Sequence, residues 1–273
     1  MNTHKILALA TCFNRREKTV SAISELIHGN SNCSFTFLIA DDASTDGTSE
    51  ALKRFPEVTV LHGDGKQFYC GGMRMAIAAA QKEHGPYDWV LLFNDDVQFY
   101  DHAIDYLASK SQNYVWAGPT CDPNGKLVYS GILRLSKFRP KYKHIKADTP
   151  EGVRCDTLNG NCVLVPWNIF LHLDNMPAVY RQSFGDYDYG FMITRKGYEI
   201  RVSDQFVGMC KDDTLINHSW QDTSLSFRER KKLKESVKGL PFREYFYYLN
   251  HNYGFLTAVV YSISPYVKMF VHK

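Results

Sequence analysis

Four short apolar runs separated by amphipathic helical stretches occupy the first hundred residues, and they restrict the fold more than any other feature of the chain. The runs are Lys5 to Thr11, Phe35 to Ala40, Val58 to Leu61 and Trp89 to Phe93. Continuous apolar stretches of this length, bounded by turn residues, predict buried strands. Between them, Glu17 to His28 places Val20, Ile23, Leu26 and Ile27 on one helical face. Ser44-Thr45-Asp46-Gly47 is turn chemistry that starts a helix over Thr48 to Phe55, and Gly71 to Glu83 predicts a third helix. Strands alternating with helices give βαβ units and a parallel sheet, here half of a doubly wound nucleotide-binding arrangement.

After Tyr114 the pattern changes to a mixed or antiparallel extension. Val115 to Pro119 and Leu127 to Leu135 read as strands around an Asp122-Pro123-Asn124-Gly125 hairpin turn. Cys162 to Val165 predicts a buried strand and Trp167 to Leu173 a helix. Phe191 to Lys196 predicts another helix, stopped by Gly197 before a strand over Glu199 to Val202. From Ser224 the chain is helical, basic first and aromatic later. Seven cysteines without Cys-x-x-Cys spacing argue against a disulfide framework or a zinc ribbon, and point to a reducing compartment. A strand within five residues of the start leaves no room for a signal peptide, so the expected location is cytoplasmic. Asn250, His251, Asn252 and Pro265 interrupt the apolar stretch from Tyr245 to Val271, which disfavours a membrane span there.

Carboxylates cluster at the ends of the predicted strands, where open α/β sheets collect ligands. Phe93-Asn94-Asp95-Asp96-Val97 follows the fourth strand, and such oxygens suit a hard divalent cation carrying substrate phosphates. Asp41 and Asp42 follow the second strand; they can hold a base or ribose, or Asp42 or Ser44 can cap the next helix. An EF-hand reading fails because Lys53 stands where a bidentate Glu is required. Gly71-Gly72, with Gly63-Asp64-Gly65-Lys66, flanks a helix start that favours anions, although neither a Walker loop nor a dinucleotide fingerprint is present. Phe184 to Gly190 contains Asp186 and Asp188 between aromatics, which is either a wet loop or a shielded general base. A lone histidine, His218, is a ligand only if it shares a cavity with Asp96.

The order of these motifs resembles the family 2 glycosyltransferases with the GT-A fold. The resemblance runs from about Lys5 to Trp220. It is carried by Thr11-Cys12-Phe13-Asn14-Arg15, Asp41 to Thr48, Phe68 to Met75, Phe93 to Val97, Asn159-Gly160-Asn161-Cys162 and Gly185-Asp186-Tyr187-Asp188. Tyr245 to Asn252 further resembles the bacterial rhamnosyltransferase-like branch that builds surface polysaccharides. The resemblance implies a GT-A domain over 1–223, with a nucleotide-binding half at about 1–113 and an acceptor-side half at about 114–223. The tail is 224–273. It implies an inverting, metal-dependent transfer from a UDP- or dTDP-sugar to a hydroxyl of a glycan or lipid-linked saccharide.

The resemblance also implies roles for individual residues. Thr11, Asn14, Arg15, Asp41, Asp42, Gly71, Gly72, Asn94 and Asp95 bind the donor. Asp96 and His218 hold Mn2+ or Mg2+, with Asn94 where the family has a first carboxylate. Asp186 is the base, with Asp188 as a rival because Gly185 replaces the usual Glu, and Gly160 and Asn161 meet the acceptor. Two basic runs, Arg134 to Lys146 and Arg228 to Lys238, are solvated faces or contacts to anionic lipid or phosphate. They carry no nucleic-acid motif. The tail either lies on the inner face of the cell membrane or packs on its own core or on a second subunit in a homodimer. A catalytically silent binding module is the competing reading. A sugar-nucleotide pyrophosphorylase is disfavoured, because Thr11 to Arg16 contains no glycine.

Overall fold

The structure, a computed structural model, describes residues 3–211 and 219–271. The first part alternates as expected: β1 His4–Cys12, α1 Arg16–Gly29, β2 Cys33–Asp41, α2 Thr48–Leu52, β3 Val58–His62, α3 Phe68–Ala80 and β4 Trp89–Phe93. There follow β5 Gln98–Phe99, α4 Ala103–Ala108, β6 Tyr114–Ala117, β7 Thr120–Cys121, β8 Leu127–Tyr129 and β9 Gly131–Arg134. The next group is β10 Tyr142–Ile145, β11 Val153–Cys155, β12 Thr157–Leu158, β13 Cys162–Pro166, α5 Trp167–Phe170 and α6 Gly185–Arg195. The chain continues with β14 Glu199–Val202, β15 Gly208–Met209, α7 Phe227–Glu235, α8 Phe242–Tyr253 and α9 Phe255–Val271.

Eight strands form the main sheet in the order β11-β14-β6-β13-β4-β1-β2-β3. β3, β2, β1 and β4 run parallel, and β13 inserts antiparallel between β4 and β6. Side chains alternate across a strand, so β1 feeds two cores. Ile6, Ala8 and Ala10 pack with Ile23 and Leu26 of α1 and Ile104 and Leu107 of α4. Leu7 and Leu9 pack with Met73 and Ile77 of α3, Phe170 of α5 and Ile193 of α6. A third, aromatic core seats α8 and α9 on the outside of the second layer, through Tyr180, Phe191, Tyr248, Leu249 and Ala258.

Several boundaries differ from the sequence reading, each for a local reason. α3 begins at Phe68 rather than Gly71, because the Asp42 carboxylate accepts from the amides of Gly65, Gln67 and Phe68 and so caps that helix. Neither Asp42 nor Ser44 caps α2; Asp46 takes the Thr48 amide there. α2 itself ends at Leu52 rather than Phe55. α6 begins at Gly185 rather than Phe191, so the acidic motif is the first turn of a helix and not a loop. The stretch expected as one strand from Leu127 is broken at Ser130 into β8 and β9, which belong to different sheets.

Gly72 explains why a glycine pair sits inside α3. A Cβ at this position would lie 1.9 Å from Thr11 Oγ1 at the end of β1, so the side chain is absent to let helix and strand meet. We therefore expect Gly72→Ala to destabilise the fold by about 1–3 kcal/mol through overpacking. A lowered urea midpoint with an unchanged m-value would report it, whereas an unchanged midpoint would show that Thr11 yields at no cost.

Candidate active site

The site forms where β1, β2 and β4 end and where the reversed strand β13 begins. Pairing of β13 with β4 sets Cys162 opposite Phe93, which brings the residues before Cys162 against those after Phe93. Asn94 donates its backbone amide to Asn161 O (3.1 Å) and its side-chain amide to Asn161 Oδ1 (2.9 Å). One residue earlier, the Gly160 amide donates to Asp186 Oδ2 (3.1 Å) in the first turn of α6. Gly160 and Asn161 thus join the β4 acidic tip to Asp186, two segments far apart in sequence.

Asp186 is the carboxylate of its motif that is bonded to Gly160, beside the β4 tip. Its Oδ1 accepts from the Tyr187 amide (2.9 Å), and burial pushes its pKa up to about 6 against the lowering effect of its amide donors. Asp188, the expected rival, is 1% exposed and fully engaged on the other side of α6. It accepts from Tyr180 Oη (3.0 Å), Asn252 Nδ2 (2.9 Å) and Arg195 Nη2 (3.3 Å), and lies 3.1 Å from His251 Nδ1. Asp188 therefore anchors α8 to α6, at the edge of a separate depression of about 330 Å3 that it lines with Asp174, Tyr189 and His251. Gly185, where the family has Glu, has a packing reason: a Cβ there would lie 2.5 Å from Cys70 Sγ.

Arg15 organises the β4 tip. Its Nη1 donates to Asp95 Oδ1 (2.8 Å) and to Asp96 Oδ2 (2.9 Å), while Thr19 Oγ1 donates to Asp95 Oδ2 (3.0 Å). Asp95 is 4% exposed, and burial raises its pKa despite the neighbouring guanidinium. It is a buried partner of Arg15 and Thr19. Asp96 remains partly exposed, and its Oδ1 is 4.0 Å from Cys210 Sγ. Asn14 and Arg15 line an open depression of about 370 Å3 with Arg16, Glu17, Lys18 and Asp46.

Five of the residues expected to bind the donor are engaged within the fold itself. Asp41 is 1% exposed and holds the following turn, accepting from the Ser44 amide and the Ser49 hydroxyl. Asp42 is 4% exposed, with its carboxylate on three amides. Gly71 and Gly72 lie inside α3, so their amides are not an anion cradle. Thr11 Oγ1 donates to Ala40 O (3.0 Å) and packs on Gly72. His218 lies outside the described residues.

Tyr69 is the residue that the sequence reading passed over. Its hydroxyl is buried without a hydrogen-bond partner, reaches Gly160 so closely that a Cβ there would be 2.1 Å away, and senses both Asp186 and Asp96. Burial drives its pKa well above the ordinary value, so it stays a neutral donor. The only sequence signal was a hydroxyl-bearing aromatic in an otherwise apolar helix start.

Backbone conformation marks the same place. Four of the five non-glycine residues with positive φ among the described residues are Asn14, Ala43, Phe68 and Phe184. They follow β1 and β2 and begin α3 and α6, and such strained positions cluster at functional sites.

No group of three or more His, Cys, Asp or Glu side chains able to hold a metal occurs among the described residues. The oxygen donors at this corner are the Asp96 carboxylate and the Asn94 amide oxygen left by its N–H bond to Asn161, with the Cys210 thiol beside them. That set fits Mg2+ or Mn2+, which take one or two protein oxygens and complete their shell with substrate phosphates and water.

A family model described as Glycosyl transferase family 2 matches residues 8–157, and the chain belongs to that family. The fold is GT-A. Among curated proteins, the N-acetylglucosaminyl-diphospho-decaprenol L-rhamnosyltransferases of two Mycobacterium tuberculosis strains are 27% identical over 188 residues, 59% of this chain. The match spans 61% of the length of those relatives. A solved mannosyltransferase from Pyrobaculum calidifontis, in complex with GDP-Man and Mn2+, superposes with a TM-score of 0.53 at 13% identity. That superposition covers 99% of this chain and 79% of the other.

The Asp186 carboxyl binds its proton more tightly in the folded chain than in the unfolded one. Its contribution to stability is therefore present below about pH 4 and is lost as pH rises through about 6. At pH 7.5 the buried charge opposes folding, so Asp186→Asn should melt no lower than wild type, and should lose that relative advantage at pH 4. A midpoint several degrees lower at pH 7.5 would instead make the ionised carboxylate a net stabiliser.

Proposed function

We propose that this glycosyltransferase is inverting, and that it moves a sugar from a UDP- or dTDP-linked donor to a hydroxyl of a lipid-linked saccharide in bacterial surface polysaccharide synthesis. The Gly160-Asn161 bridge carries the reading, because it sets a carboxylate with a pKa of about 6 beside the oxygen-rich tip of β4. The decaprenol-linked substrate in the relatives' name supports the acceptor class.

In this reading the acceptor hydroxyl enters beside Asp186 and Gly160. The Asp186 carboxylate removes its proton as the oxygen attacks the anomeric carbon, and the bond to the diphosphate breaks with its electron pair leaving on phosphate. One displacement inverts the centre without an enzyme nucleophile. Burial suits Asp186 to the task, since a carboxylate titrating near 6 is a stronger base than an exposed one and is still ionised at neutral pH. The Tyr69 hydroxyl, buried without a partner against Gly160, backs the segment that positions Asp186. Asp96 and Asn94 would hold a divalent cation, which would supply positive charge against the departing diphosphate. Arg15 keeps Asp96 in place while Asp95 and Thr19 hold Arg15. Asn14 and the rim of the adjoining depression receive the nucleotide.

Asp186→Asn is expected to abolish transfer, at least a thousandfold in kcat, while donor affinity by calorimetry stays within about threefold. In the wild type, kcat/KM should rise with pH through about 6 and then level off. Normal turnover in the variant, or a rate indifferent to pH between 5 and 7, would remove Asp186 from the role of base. Asp96→Ala should weaken Mn2+-dependent nucleotide binding about tenfold or more and leave metal-free binding nearly unchanged. Equal affinities with and without Mn2+ in the wild type would end the metal assignment.

A further inference from the structure

α9 has two apolar faces, and only one of them is used by the fold. Ala258, Ser262, Pro265 and Met269 are buried on the inner side. Leu256, Val260, Ile263, Val267 and Phe270 recur at the same helical spacing on the outer side and are 80%, 61%, 47%, 54% and 71% exposed. An unbroken stripe of large apolar side chains in water marks an interaction surface.

The two basic runs that the catalytic reading leaves unexplained meet the two ends of this stripe. At its start, Thr257 Oγ1 donates to Phe138 O (3.2 Å), which attaches the segment bearing exposed Lys137, Arg139 and Lys141. Phe138 itself is 78% exposed and extends the apolar surface. At its end, Phe227 of α7 packs edge-on to Phe270 with centroids 5.8 Å apart, and Arg230 Nη1 donates to Met269 O (3.3 Å). That contact attaches exposed Arg228, Lys231 and Lys232. α9 carries no acidic residue, and its own Lys268 is exposed.

We propose that the outer face of α9, with its two cationic flanks, docks the enzyme on an anionic lipid bilayer. Apolar side chains enter the headgroup boundary while Lys and Arg meet the lipid phosphates. Charge favours a bilayer over a second copy of the chain. A two-fold pairing of α9 faces sets the Lys137 flank of one chain against the Lys231 flank of the other, with no acid on α9 to neutralise them. No helix among the described residues is long and apolar enough to cross a membrane. The proposal deepens the lipid-linked acceptor reading by naming the surface that brings the enzyme to such an acceptor, and its geometry stands without that reading.

The test is co-sedimentation of the full chain with vesicles of equal parts phosphatidylglycerol and phosphatidylcholine, with no donor or acceptor present. The bound fraction should fall about fivefold or more on Val260→Asp/Val267→Asp, and similarly in vesicles of phosphatidylcholine alone or with Lys137→Glu/Arg139→Glu. Both variants change exposed positions, and an unaltered thermal midpoint identifies the folded ones. Undiminished binding by folded variants overturns the proposal. So does a dimer in sedimentation velocity that Val260→Asp/Val267→Asp dissociates without vesicles. Because the assay contains no sugar nucleotide, lost transfer with intact vesicle binding would count against the catalytic reading alone.

Discussion

The hydrogen-bonded contact between Asn94 and Asn161 holds the rest of the site in place. It exists because β13 runs against β4, so that the chain entering β13 passes the exit of β4. All the donor-side elements leave the sheet at the same edge, as parallel strands require. β13, being antiparallel, reaches that edge with its entering residues, whereas β6 and β14 reach it with their exits. Gly160 then has to be glycine, because the Tyr69 hydroxyl occupies the space of any side chain. Its amide is in turn the donor that fixes Asp186.

Around that contact, charge is sorted by burial. Of the six Asp side chains that follow β2 and β4 directly or lie in the α6 motif, the four most enclosed have spent their oxygens on structure: Asp41 and Asp42 on turn and helix amides, Asp95 on Arg15 and Thr19, and Asp188 on the α8 contact. A buried carboxylate is tolerable only with such partners. Asp186 and Asp96 are the two left with an opening to solvent, and they differ in what surrounds them. Asp96 has a guanidinium on one oxygen, whereas Asp186 has only amide donors and aromatic walls, which is why its proton is held more tightly.

Much of the fold was legible in the sequence. β1 to β4 and the helices between them follow from apolar period and turn residues, and β4 was found with its boundaries intact. The acidic tip, the Gly160-Asn161 segment and Asp186 were visible as motifs. Asp188 shows where the reading failed and why. Two residues apart on an extended loop share a side, but on a helix they are turned some 200° from each other. Asp188 stands as a rival because Gly185 replaces the usual Glu, but with the helix starting at Gly185 rather than Phe191 the two carboxylates face opposite ways. Gly71-Gly72 failed similarly: a helix start at Phe68 moves both residues from an amide-presenting terminus to a packing surface.

By itself, the sequence determined the alternation of strands and helices, the positions of the acidic tips and the amphipathic character of the tail, since these depend on neighbours within one element. Only the tertiary structure decided which carboxylates are anchors and which face the crevice, that Tyr69 reaches Gly160, and that two distant basic runs flank one exposed helix face. Each of those depends on register between elements and on the direction a side chain takes from its backbone. Neither is written in local periodicity.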